Sequence, residues 1–535
     1  MRKRIVVSLL TFVAGAATLS AQLQPTYLKI RVEKADRIIE PATPSSSNCY
    51  DGKDNVFTEI EASTGVFYGY TANGYKNSNG ATSDYSTCMI QGNQVYNMGA
   101  TPTGVIASGS PNSPSSAFSS CGYWLNGVYK SGSTYYGFAH AEAYGNSTYG
   151  KVCDYPPTTK SMGLLTSTDG VNWTPQGQII ANPSAGDSSG SEYGEGDCTP
   201  VPFNGYLYLY CRRTQDTQTS IARAPLTSNF SQSNWKKLTA PGAWNGAWNA
   251  NDYAVGLYGS SSSIFGNYGN IMLLRVELGG TGTAHGMQMS FSGATDPTTF
   301  TRISDPIIYE DAYVFPYANT SSDLIAYPSA LSGTDGSRTW NGYFILTYDW
   351  VPNQSDAESA PDHGRTIVMR NVSVSQESSP QSPQVGVAIS RWDSSSIGQR
   401  ISTVEAVPYG FVSPGYVLDT NDTSYLMTTP PSSGSMTVVE CVSTASWPSA
   451  AHPDHLMTAY ATGSDPSNSG CDDNYAFLRT SGYLYSSSQG SSTVPVYRCK
   501  PNSPSTGSTT HFVSNDASCE GYGTEERLLG YALAN

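Results

Sequence analysis

Only 13% of the 535 residues are charged, yet carboxylates and arginines recur at corresponding points beside predicted strands. Asp51 and Asp54 precede one strand, Glu195 and Asp197 open another, and His140 and Glu142 close a third. Arg212 with Arg213, Arg275 with Glu277, and Asp349 with Trp350 close three more. Two carboxyl groups on opposite sides of a glycosidic bond can hydrolyse it, one protonating the leaving oxygen and the other acting on water or on the anomeric carbon. Asp54 and Glu195 are the candidates for that pair. His140, Glu142, Asp51, Asp197 and Arg212 are candidates to hold a substrate's hydroxyls. An arginine beside Glu195 would lower its pKa, which suits a base and spoils an acid. Trp244 and Trp248, in Ala-Trp-Asn-Gly-Ala-Trp-Asn, read either as a stacking platform for sugar rings or as the packing of a loop. The acids have plain alternatives too: Asp51 and Asp54 as turn residues, Glu195 and Asp197 as strand caps or cation ligands, and His140 with Glu142 as a structural hydrogen-bonded pair. No G-x-S-x-G elbow, Walker loop, dinucleotide fingerprint or H-E-x-x-H helix is present.

These residues can cooperate only if the strands that carry them share a rim. Five segments repeat a turn glycine followed by an aromatic or aliphatic strand, at Gly65, Gly132, Gly205, Gly269 and Gly342, at intervals of 64 to 73 residues. That period suits propeller blades of about four strands with loops. Each glycine marks the far end of a blade's first hairpin, so strand starts and second-strand ends meet at the opposite rim, where the charged residues gather. Asn204-Gly205 is a type I′ hairpin signal. Counting outward from it sets Cys198 opposite Cys211 and predicts a cross-strand disulfide. Pro200 and Pro202 then lie on an edge, as the innermost strand of a blade requires. Between blades, Thr168 to Trp173, Thr227 to Trp235 and Thr295 to Phe300 each place Asp or Asn turn chemistry before an aromatic that can plug the space between neighbours.

The run Ser167-Thr-Asp-Gly-Val-Asn-Trp-Thr-Pro-Gln-Gly-Gln-Ile-Ile180, the strand start Gly-Glu-Gly-Asp197, and Ser220-Ile-Ala-Arg-Ala224 resemble blade motifs of the five-bladed β-propeller glycosidases, the arabinanase, xylosidase and invertase-like superfamily. The resemblance covers residues from about 45 to 395. It implies a base or nucleophile on blade one, carried here by Asp54 with Asp51 as the alternative, and an acid on blade three, carried by Glu195 with Asp197 as the alternative. It also implies a tuning aspartate on blade two. There the pattern breaks, because Ser119 to Asn126 contains no acid and Glu142 is the nearest substitute. No cofactor is required, and a structural calcium in the channel is compatible with such propellers.

Composition and termini set the surroundings. Low charge and 15 Phe against 37 Tyr argue against helix bundles and basic nucleic-acid binders. Arg2 to Arg4, the apolar run Ile5 to Ala17 and Leu19-Ser20-Ala21 form a secretory signal, with the mature chain starting at Gln22. Ten cysteines, all after the signal, then read as disulfides in an exported, soluble protein. The formal charge of -14 disfavours nucleic acid and anionic membranes and fits a neutral polysaccharide or oligosaccharide partner.

After about residue 395 the pattern changes. Val438-Val-Glu-Cys441, His455 and Cys471 parallel Val494 to Cys499, His511 and Cys519, and Gly415-Tyr416, Gly482-Tyr483 and Gly530-Tyr531 recur. The tail resembles Tyr-rich repeat modules at the C-termini of secreted bacterial proteins. It predicts bridges Cys441 to Cys471 and Cys499 to Cys519. The pairing of Cys49, Cys88, Cys121 and Cys153 stays open. The two histidines, equivalently placed, read as core or hydrogen-bonding positions rather than metal ligands. The expected protein is a monomer and all-β: a signal at 1–21, a five-bladed propeller at 22–395 acting as a glycoside hydrolase, and a β-rich module at 396–535 that binds glycan or cell surface. A non-catalytic carbohydrate-binding propeller, a lectin or adhesin, is the alternative.

Overall fold

The computed structural model describes residues 28–39, 67–73, 85–92, 104–109, 119, 122–143, 159–182, 193–257, 260–266, 271–277, 286–293, 295–302, 307–309, 324–332, 339–340, 342–351, 366–376, 384–394, 399–404, 416–419, 424–432, 434–444, 454–464, 470–502 and 511–534. The signal segment, Asp51 and Asp54 lie outside them. Among the described residues there are strands and short 3-10 turns and no α-helix.

β1 (Leu28–Ile39) comes first, followed by an antiparallel group of β2 (Phe67–Asn73), β3 (Tyr85–Gly92) and β4 (Gly104–Gly109). The second group is β5 (Gly122–Ser131), β6 (Thr134–Ala143), β7 (Thr159–Ser167) and β8 (Thr174–Ile180). The third is β9 (Tyr193–Phe203), β10 (Tyr206–Arg213), β11 (Thr219–Pro225) and β12 (Lys236–Lys237). In the fourth, β13 (Ser260–Gly266), β14 (Ile271–Glu277), β15 (Gly286–Ser292) and β16 (Phe300–Arg302) are joined at β15 by β17 (Ile308–Tyr309). β18 (Leu324–Leu331) starts the fifth, β19 (Thr339–Trp340) crosses to β13, and β20 (Tyr343–Val351) and β21 (Thr366–Gln376) complete it. β1 pairs antiparallel with β21, so the beginning of the chain supplies the outer strand of the last group. The first strands β2, β5, β9, β13 and β18 lie side by side in that order, which is how propeller blades surround an axis.

Local chemistry explains the blade geometry. Asn204 and Gly205 both have left-handed φ, 45° and 80°, which makes the β9–β10 connection the expected type I′ turn. Pro200 and Pro202 fall where β9 has no second ladder partner, although the start of β9 pairs in parallel with β7 at Thr159 and Lys160. That edge does not stand open. Pro200 packs on Gly127 of β5, where a Cβ would collide with the proline ring.

Three aromatic plugs seal successive blades. In the Ser167 to Trp173 loop, Asp169 accepts backbone N–H bonds from Val171 (2.8 Å) and Asn172 (2.7 Å), and the Trp173 indole N–H donates to the Gly170 carbonyl (2.9 Å). Trp173 then meets Tyr70 of β2 edge-on, 5.9 Å between centroids. Trp235 likewise meets Phe138 of β6 at 5.9 Å, and Phe300 meets Tyr210 of β10 at 5.7 Å. Each plug therefore reaches back one blade. Burying an aromatic of this size contributes roughly 1.5–3 kcal/mol.

The sheet of the last blade runs on through the expected boundary at 395. β22 (Gln384–Ala388) pairs in parallel with β1 and antiparallel with a later strand, and β23 (Ser390–Ser394) continues it. The remaining strands are β24 (Gln399–Thr403), β25 (Tyr416–Asp419), β26 (Tyr425–Met427), β27 (Ser435–Ser443), β28 (His455–Ala461), β29 (Tyr475–Tyr485), β30 (Thr493–Pro501), β31 (Phe512–Ser514) and β32 (Gly523–Leu533). The sequence shows two repeats; the structure shows three. β22/β23–β24–β25/β26, β27–β28–β29 and β30–β31–β32 share one pairing scheme. Their last strands close a cycle through Met427↔Tyr483, Tyr485↔Tyr531 and Leu533↔Tyr425. Ser424-Tyr425, not Gly415-Tyr416, is thus the counterpart of Gly482-Tyr483 and Gly530-Tyr531. Ile389, Val438 and Val496 occupy one equivalent core position, and Trp392 stands where the other units carry Cys441 and Cys499. Strand β1 ties this module to the propeller: the Tyr425 hydroxyl donates to the Glu33 carboxylate (2.6 Å), and Arg31 lies over the Tyr425 ring.

Candidate active site

The register brings the ends of β6 and β10 and the starts of β7 and β9 to one rim. Glu142 stands opposite Lys160, His140 opposite Met162, and Glu195 opposite Arg213. The ladder between β9 and β10 slips after Tyr210, and Asp197 there has a left-handed φ of 50°. That bulge re-aims its side chain. Asp197 turns toward His140 on the neighbouring blade, while Glu195 turns toward Lys237 of β12.

Asp197, His140 and Glu142 form the centre of a five-residue chain of charges. The His140 ring contacts Asp197 Oδ1 through Nδ1 (3.0 Å) and Glu142 Oε1 through Nε2 (3.3 Å). Lys160 Nζ lies 3.4 Å from Glu142, and Arg212 3.7 Å from Asp197. Burial would strip His140 of its proton, but hydrogen bonds to Asp197 and Glu142 push its pKa up to about 9. Both ring nitrogens face a carboxylate, which favours the imidazolium, and Nδ1 also faces the Asp197 backbone N–H at 3.2 Å. Burial also works against the charge on Glu142, and Lys160 and His140 overcome it, holding the carboxyl down at about 2. Asp197 is held well below the usual carboxylate range by His140 and Arg212, again against burial. Trp124 meets the His140 ring edge-on at 5.5 Å, and Asn126 Oδ1 accepts from its backbone N–H (3.2 Å). Gly196 is required beside it, because a Cβ there would run into the imidazole.

Glu195 occupies a different setting. Its side chain is 0% exposed and pairs with Lys237, which also donates to the carbonyls of Ala181 (3.0 Å) and Ala250 (2.8 Å). Neither Arg212 nor Arg213 pairs with Glu195. Burial is the largest influence and pushes its carboxyl up to about 8; Lys237 opposes the rise and nearby Asp252 adds to it. The rim groups, by contrast, meet solvent, with Glu142 17% and Asp197 13% exposed.

No protein-family model and no curated protein matches the chain. Solved structures do. The chain is similar to a family 117 glycoside hydrolase produced by the marine bacterium Zobellia galactanivorans, with TM-score 0.40 and 12% identity over 65% of this chain and 91% of that one. It is similar to a glycosyl hydrolase from Bacteroides ovatus, with TM-score 0.39 and 11% identity over 66% of this chain and 95% of that one. It is also similar to the α-L-arabinofuranosidase of Podospora anserina solved with cellotriose, with TM-score 0.36 and 10% identity over 66% and 98%.

The other candidates are distributed as follows. Trp244 packs edge-on to Tyr208 at 5.6 Å with the Arg223 guanidinium 4.2 Å over its ring, and Trp248 packs against the core shared by the second and third blades. The side chains of Arg275, Glu277, Asp349 and Trp350 lie outside the described residues, as do Asp51 and Asp54. Sequence reading missed Lys160, Lys237 and Asp252. Lys160 was within reach, since the β6–β7 register sets it opposite Glu142. Among the described residues no cluster of three or more His, Cys, Asp or Glu side chains could hold a metal ion. The three expected bridges, Cys198–Cys211, Cys441–Cys471 and Cys499–Cys519, are formed. No helix among the described residues is long and apolar enough to cross a membrane.

Proposed function

We infer that this is an exported, monomeric glycoside hydrolase acting on a neutral plant or microbial polysaccharide by carboxyl acid/base chemistry. The observation that carries the reading is a pair of carboxyls on β9 in opposite surroundings: Glu195 wholly shielded beside one ammonium and a second carboxyl, where burial pushes its pKa up, and Asp197 at the rim between His140 and Arg212, which hold its pKa down. Environments that drive neighbouring carboxyls apart mark the division of labour between acid and base. In this reading Glu195 protonates the leaving oxygen and Asp54 acts as base or nucleophile. His140 and Glu142, joined by Asp197 and Arg212, hold the sugar hydroxyls at the rim. Proton delivery requires the Glu195 side chain to leave Lys237 and reach that rim. Product analysis after incubation with a panel of neutral polysaccharides tests the reading; new reducing ends from at least one are expected.

One observation favours a second reading. Glu195 is wholly shielded and tied to Lys237 between two blades, which is also how a structural ion pair sits. A carbohydrate-binding propeller without catalysis would keep the rim network and need no accessible acid. Retention on immobilised glycans with no product released by the intact protein would select it.

A further inference from the structure

The surroundings of Glu195 contain a second shielded carboxyl. Asp252 follows β12 on the segment that also carries Ala250, whose carbonyl accepts from Lys237 (2.8 Å). Its side chain is 2% exposed and lies within hydrogen-bonding reach of Glu195. Asn182, beyond β8, donates to Asp252 Oδ1 (3.3 Å), and Arg213 Nε is 3.5 Å from Oδ2. Arg213 is shared with Asp216, at 3.1 Å. Lys237 already has three acceptors and can donate to nothing more. Glu195 Oε2 and Asp252 Oδ2 are both buried and make no hydrogen bond, Arg213 reaching Oδ2 as an ion pair at 3.5 Å without forming one. Two interacting shielded carboxyls, each with an oxygen that makes no hydrogen bond, are both satisfied by one proton held between them.

We propose that Asp252 is a positioning residue that keeps Glu195 in its acid form by sharing a single proton with it. The catalytic use of that proton rests on the glycoside hydrolase reading above; the sharing itself does not. The groups facing the pair are Lys237 from β12, Arg213 from β10 and Asn182 from the second blade. Asp252→Asn removes a negative charge at nearly constant shape, so Glu195 should lose its proton at lower pH.

The test compares wild type, Asp252→Asn, Asp252→Glu, Glu195→Gln and the Glu195→Gln/Asp252→Asn double variant by thermal unfolding against pH. The fall in Tm that Glu195 causes, which begins near pH 4.5 and runs to about 8 in the wild type, should end about one pH unit lower in Asp252→Asn. It should return toward wild type in Asp252→Glu, and adding Asp252→Asn should leave the Glu195→Gln profile unmoved. An unchanged profile in Asp252→Asn, or a shift that persists in the Glu195→Gln background, overturns the proposal. If Asp252→Asn does not fold, infrared spectra of the wild type at neutral pH decide: a protonated-carboxyl band lost in Glu195→Gln supports sharing, and its absence overturns it. Where hydrolysis is measurable, its alkaline limb should move with Tm; hydrolysis with an unmoved limb overturns the sharing and leaves the hydrolase reading standing. A shifted Tm profile without hydrolysis of any glycan upholds the sharing and defeats the hydrolase reading.

Discussion

Glu195 and Asp197 stand two residues apart on β9, and their surroundings drive their protonation in opposite directions. Asp197 is turned by a bulge into a chain of alternating charges that reaches solvent, where each carboxylate has a cation on either side. Glu195 is sealed between blades with one cation and a second carboxyl. Burial resists ionisation at both. What differs is the count of positive partners: His140 and Arg212 outweigh burial at Asp197, whereas Lys237 alone does not at Glu195. One strand therefore presents an anion and an acid at the same pH.

Removing Lys237 should break the contrast most severely. Lys237→Met leaves two carboxyls buried with no ammonium, and unfolding in denaturant should show a loss of about 3–5 kcal/mol. A loss under about 1 kcal/mol would mean that Lys237 does not balance the negative charge that Glu195 and Asp252 carry between them. Next comes Asp197→Asn, which removes one of the two carboxylates that keep His140 charged. The His140 imidazole, followed by NMR, should titrate at least about one unit below its present value, an effect of about 1.4 kcal/mol on the ionised form.

The pH dependence follows with its sign. His140 and Glu195 both bind protons more tightly folded than unfolded, at about 9 against 6.5 and about 8 against 4.5. Stability from His140 is complete below pH 6.5 and lost as pH rises through 9; for Glu195 the loss runs from 4.5 to 8. From these two groups Tm should therefore fall from about pH 4.5 to pH 9, and less steeply in Glu195→Gln. The smallest effect is expected for Lys160→Met at the exposed end of the network, about 0.5–1 kcal/mol in the same denaturant assay.

The rim was legible because it follows from turn chemistry. Gly132, Gly205 and Gly342 have left-handed φ at hairpin ends, and once those ends are placed, the strand starts and the charged residues on them fall on the other side. Cys198–Cys211 followed from the same count. The partners of Glu195 were hidden because they come from an outer strand of two residues and an irregular segment, neither of which has a period to read. The third unit of the module was hidden by substitution. Ser424 replaces the glycine of Gly482 and Gly530, and Trp392 replaces a bridging cysteine, so the marks that flag two units are missing from the first. Even paired charges were exchanged: Arg391 faces Asp419 in the first unit, Glu440 faces Arg479 in the second, and Arg498 faces Arg527 in the third, where Asp472 and Glu526 take up Arg498 instead. Backbone pairing kept the symmetry that side-chain identity had lost.

The most direct test is the rate at which Glu195→Gln releases product from a polysaccharide that the wild type hydrolyses, measured beside Asp197→Asn at the same pH. If Glu195 is the acid, Glu195→Gln loses about 10²–10⁴ of the rate while its Tm at neutral pH is no lower than wild type. A Glu195→Gln enzyme that hydrolyses at the wild-type rate would contradict the assignment.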